Sequence, residues 1–172
     1  VSRTATTPIL NQSNERNATI LDAQGRLAAL SVGIPQFMLT STLPVRFALD
    51  YLGVDEFREG DVFVANDPYH GGGHLPDYNV FAPVFADDPH HPGQRRMVLI
   101  ASIQCHHGDT GCGLPGGYNV TANDIWGEGG RWPGLKVSDR ACERRDAVLA
   151  LLPNHPPPST HLSLPPHARA AP

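Results

Sequence analysis

The sequence predicts a domain of the α/β class in its mixed α+β form, a sheet with few helices and much loop. Three observations predict it. Apolar runs of strand length recur at Asp61–Asn66 (DVFVAN), Tyr78–Phe85 (YNVFAPVF) and Met97–Gln104 (MVLIASIQ). Helical spacing is clear mainly in Ser41–Tyr51. The composition, with 17 glycines, 17 prolines and only 17% charged residues in 172, suits a loop-rich fold rather than a helical bundle.

Each element has its own signal. Ala18–Leu30 reads as a hairpin, because ATIL and RLAAL flank Asp22-Ala23-Gln24-Gly25, which has turn chemistry. For the helix, Ser41 or Thr42 suits the N-cap and Pro44 the first turn. Leu43, Phe47 and Tyr51 recur every four residues with Leu52 beside them, and Gly53 ends the segment. The unbroken apolar run of MVLIASIQ suggests a strand buried on both faces. Ala86–Arg96 reads as an exposed loop, and a short helix fits Cys142–Leu151 with Arg144 and Arg145 outward. Residues 1–152 then form one domain. Residues 153–172, with seven prolines, three histidines and no acidic residue, read as a disordered tail.

Composition also excludes partners. A net charge of -4 without a basic stripe speaks against nucleic acid. No apolar run approaches the roughly 18 residues of a membrane span, and no secretory signal pattern opens the chain. The odd set Cys105, Cys112 and Cys142 suits reduced thiols in a cytoplasmic setting.

Chemistry-bearing residues gather in two loops. NDPYHGGGHLPDYNV, Asn66–Val80, carries Asp67, His70, His74, Asp77 and Gly71–Gly73, while CHHGDTGCG, Cys105–Gly113, carries His106, His107 and Asp109. If the three strands pair in one sheet, DVFVAN and MVLIASIQ end on the same edge and the loops after them converge. His74 and Asp77 are separated by Leu75 and Pro76, and Pro76 argues for a turn or extended geometry. With His106 or His107 they supply two nitrogens and one carboxylate oxygen, a set that suits a divalent metal with open positions. Gly71–Gly73 lets the backbone approach a ligand closely or adopt positive φ. Asp67 and Asp109 could orient the histidines by accepting their second ring N–H.

Rival readings find less support. A histidine in a loop is usually only solvated, and His90, His91, His155, His161 and His167 are read that way. Cys105 and Cys112 with His106 could hold zinc, but their spacing departs from the short spacings of zinc sites, so buried structural thiols fit better. No GxSxG elbow is present, and GCGLPGG lacks the Lys-Ser/Thr ending of a phosphate loop and reads as a flexible wall of the same site. A mononuclear iron oxygenase uses the same ligand set, but its motif usually places one residue between histidine and acid rather than two.

NDPYHGGGHLPD, HHGDTG, PGG and EGGRWPGLKV, with SNERNATILDAQGRLAAL and IPQF before them, resemble the hydantoinase B/oxoprolinase family over Ser13–Leu152. That family includes B subunits of ATP-dependent hydantoinases, 5-oxoprolinase, and subunits of acetone and acetophenone carboxylases. The resemblance implies a metal-dependent hydrolase subunit acting on cyclic amides of the hydantoin or 5-oxoproline type. It implies a hetero-oligomer in which a hydantoinase A-type partner uses ATP to phosphorylate the amide or enol oxygen of a small-molecule substrate. It also implies a divalent metal ion, zinc or manganese, held by His74, Asp77 and His106, with His107 the other candidate from the pair. His107, Asp109 and Asp67 would then contact substrate or orient ligands, neutral His107 serving as a base near neutral pH. The alternatives are a ketone carboxylase subunit and a non-catalytic fragment that retains the motif. Family members are considerably longer, so the sequence reads as a truncated member.

Overall fold

The structure is a computed structural model that describes residues 8–31, 33–108, 110–112, 114 and 119–151. The expected tail at 153–172 therefore lies outside the described residues, as does Asp109. Seven strands form one antiparallel sheet: β1 (Arg16–Asp22), β2 (Leu27–Leu30), β3 (Val62–Ala65), β4 (Asp77–Asp87), β5 (Arg95–His106), β6 (Leu135–Asp139) and β7 (Cys142–Glu143), in the spatial order β2-β1-β5-β4-β3-β6-β7. The helices are α1 (Pro8–Asn11), α2 (Pro35–Thr40), α3 (Leu43–Leu52) and α4 (Arg145–Leu151). The mixed α+β architecture is thus as the sequence predicts. Among the described residues, no helix is long and apolar enough to cross a membrane.

Because β4 runs antiparallel to both β3 and β5, those two strands point the same way and end at one edge. The loops that follow them converge there, as expected. The β1–β2 hairpin forms around Asp22, whose carboxylate accepts the backbone N–H groups of Gln24 and Arg26 at 2.9 Å each. β4 and β5 make the long hairpin of the sheet. The expected exposed loop is shorter than 86–96, since both strands continue into it. A register shift lies between Val84 and Phe85: Val84 pairs with Leu99 but Phe85 with Met97, leaving Val98 as the extra residue of a bulge.

The core lies between the sheet and α3. Leu21, Phe63, Ala65, Phe81 and Ile100 on the sheet meet Val45, Ala48 and Leu49 on the helix. Phe63 stacks on Phe57 and Phe81 with ring centroids 4.5 and 5.3 Å away. The helix exchanges the face expected of it. Leu43 and Tyr51 are exposed, and Phe47 instead stacks on Tyr51 at 5.4 Å and meets the His70 ring at a tilt, 4.3 Å away. Two apolar stripes coexist on α3, and the one with small Ala48 packs closest to the sheet. Thr42 occupies the N-cap without a side-chain bond, Pro44 sits in the first turn, and Gly53 ends the helix at φ 89°.

β5 also differs from expectation. Its burial alternates from Ile100 onward, with Ile100, Ser102, Gln104 and His106 inward and Ala101 and Ile103 exposed. With Ala101 and Ile103 exposed on the other face, this part of the apolar run is buried mainly on one side. β6 and β7 were not apparent in the sequence. They are tied to β3 through buried Asp61, which accepts from Lys136 Nζ and the Arg140 N–H at 2.8 Å each and from the Arg58 N–H at 2.9 Å.

Phe81 touches both aromatic neighbours and faces Ile100's side of the sheet. We expect Phe81→Ala to cost about 3–5 kcal/mol, as for other fully buried phenylalanines, read as a lower denaturant midpoint at unchanged slope.

Candidate metal centre

Asp77 opens β4 and His106 closes β5, and the two are direct cross-strand partners. Both side chains therefore leave the same face of the sheet, side by side. The His106 ring approaches the carboxylate with Nδ1 3.2 Å from Asp77 Oδ1. His74 comes from the turn just before β4. Its carbonyl accepts the Asp77 N–H at 2.8 Å, closing a turn through Leu75 and Pro76. Leu75 is wholly buried and anchors that turn. The His74 side chain is thereby brought back to the carboxylate, with Nδ1 2.5 Å from Asp77 Oδ2. The His74 and His106 rings lie 5.0 Å apart. Ligand atoms of His74, Asp77 and His106 all fall within 4.8 Å of one another. Among the described residues, this is the group of histidine, cysteine and acidic side chains that could hold a metal ion.

The glycines before it have distinct reasons. Gly71 takes φ 93°, and a Cβ there would lie 2.6 Å from the Leu43 backbone at the start of α3. A Cβ on Gly73 would lie 2.7 Å from Asp77 Oδ2, so the bare glycine lets this carboxylate pack against the loop. The loop is held from behind by Asn66, which is fully buried. Its Nδ2 donates to the carbonyls of Leu75 and Gly130 at 2.9 Å each, and its Oδ1 accepts the Trp132 N–H at 2.7 Å.

The electrostatics follow from this packing. Burial raises the pKa of Asp77, but the hydrogen bonds to His106 and His74 outweigh it and hold the carboxyl below its usual range. Burial likewise pushes His74 down, and the Asp77 carboxylate outweighs it, leaving His74 above its ordinary value. Glu15 adds a second carboxylate. Its carbonyl accepts the His106 N–H at 3.0 Å, and its Oε2 lies 3.8 Å from His106 Nδ1. The sequence reading gave Glu15 no role. Its only signal was its place immediately before β1, and antiparallel pairing with β5 carries it to the site.

Other candidates fall elsewhere. His107, one residue past His106, faces the opposite side of the sheet, its ring 4.4 Å from that of Tyr78. Asp67 does not reach the clustered histidines. It caps the short 3-10 turn Pro68–His70, accepting the Tyr69 N–H at 3.0 Å, and its Oδ2 binds His70 Nδ1 and Arg131 Nη2 at 2.8 Å each. Arg131 is sandwiched by Tyr69 and Trp126 at 5.0 and 4.9 Å from the ring centroids. Cys105 belongs to the outer face, and burial pushes its thiol up to about 11, so it is no thiolate ligand at neutral pH. Most of the expected glycine-rich wall lies outside the described residues. His90 and His91 sit in the exposed hairpin turn, His91 paired to Asp88 at 3.0 Å.

Burial raises the Asp67 pKa, but Arg131, His70 and the Tyr69 N–H outweigh it, so the folded value lies below the ordinary 3.8. A carboxyl depressed on folding stabilises the protein above its unfolded pKa, and that stability is lost as pH falls through the folded value. Asp67→Asn is therefore expected to cost about 1.5–3 kcal/mol near neutral pH, the range for bonds to charged groups. It should also flatten the acid limb of unfolding free energy against pH below about 4.

Comparisons with known proteins identify the family. The chain is 27% identical over 152 residues to 5-oxoprolinase 1 of Arabidopsis thaliana, covering 88% of this chain and 11% of that protein. It is 30% identical over 129 residues to the acetophenone carboxylase delta subunit of Aromatoleum aromaticum, covering 75% of this chain and 18% of that one. The crystal structure of ATP-dependent caprolactamase from Pseudomonas jessenii superposes with a TM-score of 0.78 at 27% identity, over 89% of this chain and 25% of that one. The chain thus spans a quarter or less of the length of these relatives. A sequence profile of the hydantoinase B/oxoprolinase family matches residues 1–163, and the chain belongs to that family.

Proposed function

We propose that this chain forms the metal-holding part of a hydrolase subunit that opens cyclic amides of the hydantoin or 5-oxoproline type. A hydantoinase A-type partner would spend ATP to activate the substrate. The observation that carries this reading is the convergence of His74, Asp77 and His106 within 4.8 Å. Two further features fit a divalent ion such as zinc or manganese: the bare Cα of Gly73, against which Asp77 Oδ2 packs, and a donor set of two imidazoles and one carboxylate. When bound, such an ion supplies Lewis acidity toward a carbonyl or a water molecule.

The chain's own residues would divide the remaining work. Asp77 fixes the orientation of both imidazoles, because each presents Nδ1 to one of its oxygens. Glu15 adds negative charge beside His106. His107 would serve as a base only from the far side of the sheet, so its position lends that role no support. The relatives named as subunits support a hetero-oligomer, and the likeness to a carboxylase subunit keeps ketone carboxylation as the second reading. The two separate in one experiment: the chain with an A-type partner and ATP is given a lactam, or a ketone with bicarbonate, and ring-opened product or carboxylate is measured.

The first test is metal content of the purified chain by mass spectrometry. Near-stoichiometric divalent metal, lost in His74→Ala with the fold retained, is the expected outcome. Absence of metal from the wild type would favour the non-catalytic reading. Gly73→Ala should weaken metal binding tenfold or more, since its Cβ meets Asp77 Oδ2 at 2.7 Å. Protons compete with metal for His74, whose folded pKa lies above 6.5. Apparent metal affinity should therefore rise with pH until His74 is neutral, at a pH higher than an ordinary histidine requires, as followed by titration with a chromophoric chelator.

A further inference from the structure

Two residues before His106, on the same face of β5, Gln104 is 1% exposed. Its cross-strand partners are Asn17 on β1 and Asn79 on β4, so three buried amides form a row beside the cluster. Asn79 is fully engaged, its Nδ2 donating to the Ser41 carbonyl at 3.2 Å and its Oδ1 accepting from Ser102 Oγ at 2.6 Å. Gln104 is only half engaged. Its Oε1 accepts from Thr40 Oγ1 at 3.1 Å, while Nε2 is buried and meets no acceptor among the described residues. Asn17 is in the same state: Oδ1 accepts from Ser31 Oγ at 3.0 Å and Nδ2 has no acceptor among the described residues.

Buried N–H donors without acceptors are rare in folded proteins and costly to maintain. The position of this one identifies what it serves. A Cβ on Gly73 would lie 2.7 Å from Asp77 Oδ2 and 3.7 Å from Gln104 Nε2. The Gln104 amide and the Asp77 carboxylate thus both lie against the bare Cα of Gly73, beside the cluster. A neutral donor there attracts an oxygen without neutralising Asp77, as a lysine or arginine would.

We infer that Gln104 is a ligand-contacting residue that selects for oxygen. Its Nε2–H donates to a carbonyl or carboxylate oxygen of the small molecule bound beside His74, Asp77 and His106. Asn17 extends the donor wall onto β1. The inference rests on the metal-centre reading above and adds to it the feature of the substrate that the protein itself recognises.

The test uses the full chain loaded with cobalt(II), with acetate as the oxygen probe and the visible spectrum as the readout. Gln104→Met removes the donor at similar length. Gln104→Glu keeps the acceptor for Thr40 and replaces the donor by a carboxylate oxygen, so the tether to α2 survives. Both variants should retain cobalt at wild-type stoichiometry and bind acetate on the order of tenfold more weakly or worse. Unchanged acetate affinity in either variant, or no acetate binding by the wild type, overturns the inference. Loss of cobalt from both variants with the fold retained would make Gln104 a metal-holding residue and overturn the donor role. Failure of the wild type to take up cobalt overturns both this inference and the metal-centre reading. Cobalt bound with acetate affinity unchanged removes this one alone.

Discussion

The site depends on one register, Asp77 opposite His106. Side chains alternate across a strand, so a slip of one residue between β4 and β5 would send one member of the pair to the outer face. Nothing at the site itself enforces that register strongly, since the two groups are polar and would be solvated if separated. Enforcement comes from further along the same ladder, where Phe81, Ile100 and Leu21 must face α3 for the core to close. The apolar contacts that fold the chain thus also align its ionisable groups.

One face of the sheet is consequently graded. It runs from the aromatic stack of Phe57, Phe63 and Phe81, through the amide row of Asn17, Gln104 and Asn79, to Asp77 and His106 at the strand ends. Polarity rises toward the converging loops, while burial hardly changes: Phe81, Asn79 and Asp77 are all at most 2% exposed. Such buried polarity is destabilising unless each group is matched. Asn79 is matched at both ends, by the Ser41 carbonyl and Ser102, whereas among the described residues Gln104 and Asn17 are matched only at their oxygens. The loop behind is matched too, with Asn66 joining two loops from 64 to 66 residues apart in sequence.

Strands β1 to β5, the helix at 43–52 and the composition of the cluster were legible in the sequence, because each leaves a local mark: short apolar runs, a proline in the first turn, ligand-type residues massed in two loops. Contacts between distant segments left none. Glu15 reaches His106 only through pairing of β1 with β5, and Gln104 appears as the polar end of an apolar run until its neighbours across the sheet are known. Asp67 shared every local feature of a ligand-orienting group, yet Arg131, 64 residues away, claims its oxygen. The HH pair illustrates the limit most simply. Two adjacent histidines are equivalent on paper, and the pleat of β5 places their rings on opposite faces. The misread stripe of α3 has the same origin, since which apolar face packs is decided by what lies opposite.

The bulge at Val98 divides the long hairpin into two parts. Below it, toward the cluster, pairing is regular from Val84 to Asp77; above it lie Arg95, Arg96 and the exposed turn. A bulge absorbs an added residue by bending one strand locally, without shifting the pairs beyond it. The tip of the hairpin is therefore mechanically insulated from the site. It can vary in length and sequence without moving the ligand atoms, and it is the natural point at which to attach a reporter group without disturbing the chemistry at the other end of the same two strands.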